Sequence, residues 1–270
     1  MIKLIAIDMD GTLLNSNREL PAENILALQR AAQAGVKIVL CTGRPKSGVE
    51  PYFNKLGLSD NEYVIMNNGC SVYQTKNWDL IDYAALSYQE LNTLSQAVQD
   101  FPEVCLTLTG QQNYYAVGET VPELVQYDAG LVFLTAQAAS LDKIKRSSEI
   151  IFQAMYMGEK RQLDLFQRAE AQKLSRLFSA VRSQDYIFEA MPMGVTKGKA
   201  LRKLSQNLGF RPEEVMALGD APNDLEMLRF AGVSVAMDNA SRLVKEHSRY
   251  LTDSNDKAGV AKAIFKHVLS

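Results

Sequence analysis

Short unbroken apolar runs alternate with amphipathic stretches along the first 66 residues. Residues 4–7, 36–41 (apart from Lys37) and 63–66 are apolar without polar alternation, the pattern of strands covered on both faces. Between the first two, residues 21–34 read as an amphipathic helix. Pro21 suits its first turn, Ile25, Leu28 and Ala32 mark one face, and Gly35 stops it. Residues 49–56 read as a second helix, with Pro51 in its first turn. Strand, helix, strand, helix, strand predicts a parallel, doubly wound sheet.

The rhythm changes near Tyr83. Ser87-Tyr88-Gln89-Glu90 is a capping box that opens a helix running through Val98. Residues 104–109 and 114–117 read as the strands of a hairpin. Helices at 123–128 and 141–146, a strand at 150–157, a helix at 161–173 and strands at 176–181 and 186–189 complete an α+β module. From Thr196 the α/β rhythm returns. Thr196 caps a helix with Ala200, Leu201, Leu204 and Leu208 on one face, and Gly209 closes it. Strands at 215–218, 233–236 and 249–252 follow, with helices between them and a last helix from Ala258. The fold class is therefore α/β, a doubly wound parallel sheet built from residues 1–82 and 190–270, with residues 83–189 inserted as a second domain.

Composition narrows the function. The chain has 270 residues, 47% of them hydrophobic, enough for one or two sizeable cores. A formal net charge of −2 and the absence of a long basic block argue against nucleic acid as a partner. Lys143-Ile144-Lys145-Arg146 is short and reads as a solvated helix face. Cys41, Cys70 and Cys105 are isolated, which fits buried filler in a reducing cytoplasm better than a zinc site or disulfide framework. Asp8 and Asp10 interrupt the N-terminal apolar stretch, so it is no signal peptide, and no run reaches membrane-spanning length. The expectation is a soluble cytoplasmic protein, a monomer or homodimer, with no membrane partner.

Chemistry concentrates where the apolar runs end. Asp8-Met9-Asp10-Gly11-Thr12 puts two carboxylates at the exit of the first strand. In an open α/β sheet, the carboxyl ends of strands are where ligands bind. Two acids there need a cation or a retained proton, which suggests a metal-assisted site with a carboxylate free to act as nucleophile. An acidic turn that caps a helix is the bland alternative. Thr42-Gly43 offers a hydroxyl and a backbone N–H at the second strand's exit, suited to phosphate oxygens or simply a turn. Lys197 falls in the first turn of its helix, where a cation opposes the dipole unless an anion is held there. Gly219-Asp220-Ala221-Pro222-Asn223-Asp224 adds two carboxylates and an amide after a buried strand.

Together these residues suggest phosphoryl transfer, which needs positioning and charge neutralisation above all. Asp8, Asp220 and the backbone carbonyl of Asp10 suit Mg²⁺. Asp8 would attack phosphorus, while Asp10 would protonate the leaving oxygen and then deprotonate water. The only histidines, His247 and His267, lie near the C-terminus, and no Gly-x-Ser-x-Gly occurs, so a histidine base or a serine hydrolase is disfavoured.

Asp8-x-Asp10-Gly11-Thr12-Leu13, Thr42-Gly43-Arg44, Lys197 and Gly219-Asp220-x-x-Asn223-Asp224 resemble the four motifs of the haloacid dehalogenase-like superfamily. The long insert resembles the C2-type cap of its Cof-type sugar-phosphatase branch. The likeness extends to Asn68-Gly69 and to Val235-Ala236-Met237-Asp238-Asn239-Ala240. It implies a Rossmann-like catalytic core and a Mg²⁺-dependent phosphatase acting on a small phosphorylated metabolite such as a sugar phosphate. Asp8 would be the nucleophile and Asp10 the general acid and base. Asp8, the Asp10 carbonyl and Asp220 would bind the metal, with Asp224 supporting them. Thr42, Gly43, Lys197 and Asn223 would hold phosphate, and Arg44 would face the cap and substrate. The second aspartate of the first motif fits phosphatase and mutase members; Pro222 is the one departure and removes no functional side chain. A phosphomutase and a non-catalytic regulatory binder are the alternatives. Tyr114, Tyr115, Tyr156, Arg161, Arg182 and Tyr186 are the insert's candidates for substrate contact.

Overall fold

The computed structural model describes residues 1–58 and 61–269. In chain order the first stretch forms β1 (Leu4–Asp8), α1 (Ala22–Gln33), β2 (Lys37–Cys41), α2 (Glu50–Leu56), β3 (Tyr63–Met66), β4 (Ser71–Gln74) and β5 (Asp79–Tyr83). Next come α3 (Tyr88–Ala97), β6 (Cys105–Gly110), β7 (Tyr114–Val117), α4 (Glu123–Leu131), β8 (Ala136–Ala139) and α5 (Leu141–Ser147). They are followed by β9 (Ile151–Met157), α6 (Lys160–Leu174), β10 (Phe178–Gln184) and β11 (Ile187–Pro192). The last stretch forms α7 (Lys197–Asn207), β12 (Val215–Gly219), α8 (Leu225–Phe230), β13 (Val233–Ala236), α9 (Arg242–Glu246), β14 (Tyr250–Leu251) and α10 (Gly259–His267). Among the described residues no helix is long and apolar enough to cross a membrane.

The chain divides into two compact units, one of Met1–Gly43, Glu50–Asp82 and Thr196–Ser270, the other of Arg44–Val49 and Tyr83–Val195. The first holds an eight-stranded sheet in the order β14-β13-β12-β1-β2-β3-β4-β5. β1 lies between β12 and β2, parallel to both, and every residue of β1 is buried. That explains its unbroken apolar run, since side chains on both faces meet packed neighbours. The register sets Asp8 opposite Cys41, so the first two strands run out side by side.

β4 and β5 had no counterpart in the hydrophobic pattern. β4 pairs antiparallel with β3, and β5 closes the sheet edge with alternating exposure. Its exposed side carries Asp79, Ile81 and Tyr83, with Leu80 and Asp82 half-buried. The buried face of α1 is also turned from the expected one: Asn24, Ala27, Leu28 and Ala31 face inward, while Ile25 and Ala32 are only half-buried. A polar residue is tolerated inside because both ends of the Asn24 amide are bonded, to the Leu13 carbonyl and the Ala261 N–H.

The second unit is a six-stranded sheet ordered β10-β11-β9-β6-β7-β8. All its pairings are antiparallel except β7 with β8. β8 escaped sequence reading because Ala-Gln-Ala-Ala has little strand propensity; its pairing with β7 makes it a strand. β11 extends to Pro192, three residues beyond its expected end at Glu189. The capping box is formed: Ser87 Oγ accepts from the Glu90 N–H, and Glu90 accepts from the Ser87 N–H at 2.7 Å. One face of the sheet packs Leu106, Leu108, Tyr156 and Phe188 against Leu94 of α3 and Leu163 and Phe166 of α6. The other packs Tyr114, Met155 and Met157 against Val125 and Ala129 of α4.

Candidate active site

Four chain segments far apart in sequence meet within the first unit. Asp8, the last residue of β1, is 5% exposed, and Asp10 two residues later is exposed. Asp220 and Asp224 follow β12, and carboxylate oxygens of Asp8, Asp220 and Asp224 lie within 4.8 Å of one another. Lys197, the first residue of α7, is buried with its ammonium between them. It donates to Asp8 Oδ1 at 2.5 Å and to Asp224 Oδ1 at 2.8 Å. The cation that stood against its helix dipole is thus held by two carboxylates.

Glycines make this convergence possible. Gly11 has φ +80°, and a Cβ there would lie 2.5 Å from Asp220 Oδ2. Gly69 has φ +104°, and its Cβ would lie 2.5 Å from the Thr196 carbonyl oxygen, at the start of α7. The bare backbone of Gly69 therefore sets how closely Lys197 approaches the strand ends.

The electrostatics are unbalanced: three carboxylates share one ammonium group. Burial, then the Asp224 charge, lifts the Asp8 carboxyl well above the usual carboxylate range, against the pull of Lys197. Burial raises Asp220 to about 6, opposed by the Thr12 hydroxyl, which donates to Asp220 Oδ1 at 2.8 Å. For Lys197, burial alone would lower the pKa, but the charges of Asp224 and Asp8 overcome it and hold the ammonium charged. Asp224 is fully buried and organises its own loop, with Oδ2 accepting the N–H groups of Asp220 at 3.0 Å and Ala221 at 3.1 Å. Such a donor set, all oxygen, buried and over-charged, suits a hard divalent cation. The residues present fit Mg²⁺.

Thr42 is buried at the exit of β2, and its backbone N–H donates to the Ile65 carbonyl at 2.8 Å, which leaves its hydroxyl and the Gly43 N–H as the turn's candidates for phosphate. Gly43 follows, with the Asn68 amide 3.1 Å from where its Cβ would stand. Asn68 also accepts from Asn223 Nδ2 at 3.0 Å and donates its own N–H to the Thr42 carbonyl. Asn68 thus ties the Thr42-Gly43 turn to Asn223. Arg44 is buried, donates to the Gly48 carbonyl at 3.2 Å, and groups with the second unit. Cys41, beside the charged cluster, is held as a protonated thiol by burial and is no nucleophile.

Thr12 and Asn68 had been given no role by sequence reasoning. Thr12 stood inside the opening motif, and Asn68 followed a buried strand in a polar, glycine-containing turn. Those positions were the available signals. The insert's candidates fare differently. Tyr114 and Tyr186 donate to Asp128, Tyr115 to Glu149, and Tyr156 to the Leu94 carbonyl, while Arg182 binds Gln167 and Asp164. Arg161 is exposed on α6. These tyrosines and Arg182 serve the packing of their own unit.

Residues 5–264 match the family model described as haloacid dehalogenase-like hydrolase. YxeH of Bacillus subtilis (strain 168) is 35% identical over 271 residues, covering 100% of both chains. The 5-amino-6-(5-phospho-D-ribitylamino)uracil phosphatase YcsE of the same organism is 31% identical over 276 residues, covering 99% of this chain and 96% of its own. The crystal structure of a haloacid dehalogenase-like hydrolase from Bacteroides thetaiotaomicron superposes with a TM-score of 0.89. It is 28% identical and covers 98% of this chain and 99% of its own.

Proposed function

We propose that this chain, which belongs to the haloacid dehalogenase-like hydrolases, is a Mg²⁺-dependent phosphatase of small phosphomonoesters, sugar phosphates or sugar-alcohol phosphates among them. The observation that carries the reading is the buried cluster in which Asp8, Asp220 and Asp224 crowd around Lys197 at the ends of β1 and β12. A relative supports the substrate class, since YcsE is named a 5-amino-6-(5-phospho-D-ribitylamino)uracil phosphatase.

Asp8 Oδ attacks phosphorus, and the ester P–O bond breaks as the new bond forms, giving an aspartyl-phosphate. Asp10 gives its proton to the departing alkoxide; exposed at the start of the loop, it can exchange protons with water. Asp10, now a carboxylate, takes a proton from the incoming water, whose oxygen displaces Asp8 and releases inorganic phosphate. Lys197, the Thr42 hydroxyl, Gly43 and Asn223 bind the non-bridging oxygens and stabilise the charge that builds there. Asp8, the Asp10 carbonyl and Asp220 would hold Mg²⁺, with Asp224 supporting the loop; when bound, the ion neutralises the carboxylates and polarises phosphate oxygens.

Asp8→Asn keeps the size of the side chain and removes the nucleophile. It should abolish phosphate release from an aryl phosphate in the presence of Mg²⁺ and leave thermal unfolding cooperative. Substantial turnover by the folded variant would refute the mechanism. Chelation by EDTA should silence the wild type reversibly. Recovery of phosphate on a second hydroxyl of the substrate, with no free phosphate, would mark a mutase instead.

A further inference from the structure

Three consecutive residues at the exit of β3 are left-handed: Asn67 (φ 51°), Asn68 (φ 55°) and Gly69 (φ 104°). Asparagine tolerates that region better than most residues, so the turn can carry a side chain where glycine is the usual choice. Asn68 is buried, and it touches two of the groups assigned to phosphate. Its N–H donates to the Thr42 carbonyl at 3.0 Å. Its side-chain amide lies across Gly43, with Nδ2 3.1 Å and Oδ1 3.2 Å from where a Cβ would stand. The same Oδ1 accepts from Asn223 Nδ2 at 3.0 Å. An amide packed against the bare backbone of Gly43 thus presents its oxygen to Asn223, a residue 155 positions further along the chain.

Asn223 itself is exposed, in the short turn after β12. An asparagine amide has a donor end and an acceptor end, and only the donor end serves an anion. An acceptor at Asn68 selects the Nδ2 end, because with the amide turned over two carbonyl oxygens would face each other. We infer that Asn68 is a positioning residue for phosphate: its side chain takes one Nδ2 hydrogen of Asn223, so that the second hydrogen on the same nitrogen serves a non-bridging oxygen. The turn at the end of β3 is thereby part of the phosphate site without touching phosphate through this side chain. The inference rests on the phosphatase reading and on the place of Asn223 in it.

The effect of Asn223→Ala, measured in three backgrounds at position 68, tests this as a double-mutant cycle. The probe is inorganic phosphate, whose inhibition of 4-nitrophenyl phosphate hydrolysis in Mg²⁺ gives an inhibition constant. With Asn68 in place, Asn223→Ala should raise that constant by about 10–10²-fold, the scale of a hydrogen bond to a charged group. Asn68→Gly keeps the left-handed backbone and the N–H to Thr42 but removes the acceptor. It should itself weaken phosphate by a similar factor, and adding Asn223→Ala should then change little. Asn68→Asp keeps an acceptor oxygen in place. Its charge weakens phosphate equally with and without Asn223, so adding Asn223→Ala should again raise the constant by about 10–10²-fold. The same Asn223→Ala effect in all three backgrounds would overturn the inference and leave Asn68 a structural tie. So would an Asn223→Ala effect missing beside Asn68 itself, or an Asn68→Gly variant that no longer unfolds cooperatively, since the side chain would then serve the fold. If Asp8→Asn remains active, the phosphatase reading itself has failed, a result separable from each of these.

Discussion

Both units bury carboxylates, and they treat them in opposite ways. In the inserted unit several acids accept from neutral side chains. Asp128 accepts the hydroxyls of Tyr114 and Tyr186, Glu149 accepts the Tyr115 hydroxyl and the Asn113 amide, and Glu189 accepts the Gln153 amide. In the other unit Asp8, Asp220 and Asp224 crowd together on one lysine, and burial drives Asp8 and Asp220 above the usual carboxylate range. Acids satisfied by hydroxyls and amides fix local structure. Acids that repel one another in a buried place store a demand for positive charge, and that demand is what a metal and a phosphate site can use.

The sharpest way to break this contrast is to remove the shared cation. Lys197→Ala would leave uncompensated carboxylates in the interior, a change that costs about 3–5 kcal/mol when one partner of a buried ion pair is lost. Urea unfolding without metal should show that loss, and Mg²⁺-supported turnover should fall by about 10²–10³-fold, as when a charge-stabilising donor is removed. An unfolding midpoint equal to wild type would mean that the cluster is not the strained centre described. Gly69→Ala comes next. Its Cβ would press on the Thr196 carbonyl from a left-handed backbone, so the start of α7 must shift. About 1–3 kcal/mol of stability should disappear, together with turnover, because Lys197 moves with the helix. Retained turnover would show that the approach of α7 to β3 is not what places the ammonium.

The same contrast governs what the sequence discloses. Strands buried on both faces announce themselves as unbroken apolar runs, and the polar residues that stop those runs form the candidate site: Asp8 at the end of β1, Thr42 after β2, Asp220 and Asp224 after β12. Lys197 is legible for a different reason, as a charge on the wrong end of its helix. Residues that act through other segments stay hidden. Asn68 matters because it reaches Asn223, 155 positions away, and Thr12 because it reaches Asp220, 208 positions away. No local periodicity encodes such pairings. β8 has an alanine-rich sequence and takes its form from β7, and α1 turns its face because Asn24 is needed inside. In the insert, the tyrosines looked available because sequence shows a hydroxyl and not the carboxylate or carbonyl already paired with it.

Tyr156 offers a smaller test on the other side of the comparison. Its hydroxyl donates to the Leu94 carbonyl at 2.8 Å, and its ring lies 4.3 Å from that of Phe166. Tyr156→Phe keeps the ring and strands one buried carbonyl, so chemical denaturation should register a loss of about 1 kcal/mol. The kinetic constants should stay at wild-type values, because the hydroxyl serves the packing of α3 on the sheet. A drop in kcat/KM at unchanged stability would return Tyr156 to the list of substrate contacts.

Glu149 gives the subtlest effect, and one with a defined sign. Burial alone would raise its pKa; the Tyr115 hydroxyl and the N–H groups of Gln112 and Asn113 outweigh that and hold it below the usual glutamate value. A carboxylate bound more tightly in the folded state than in the unfolded one adds stability above the unfolded pKa of 4.5, and that contribution fades as pH falls through the lowered folded value. Wild-type thermal stability should therefore decline on acidification below about pH 4.5, in part through this group. Glu149→Gln deletes the titration. The variant should be less stable than wild type at neutral pH, and the gap should narrow as the pH drops, while Mg²⁺-dependent turnover at neutral pH is unchanged. A gap that widens in acid would mean that the Glu149 carboxyl is favoured protonated in the fold, as Asp220 is. The two units would then not differ in how they hold their acids.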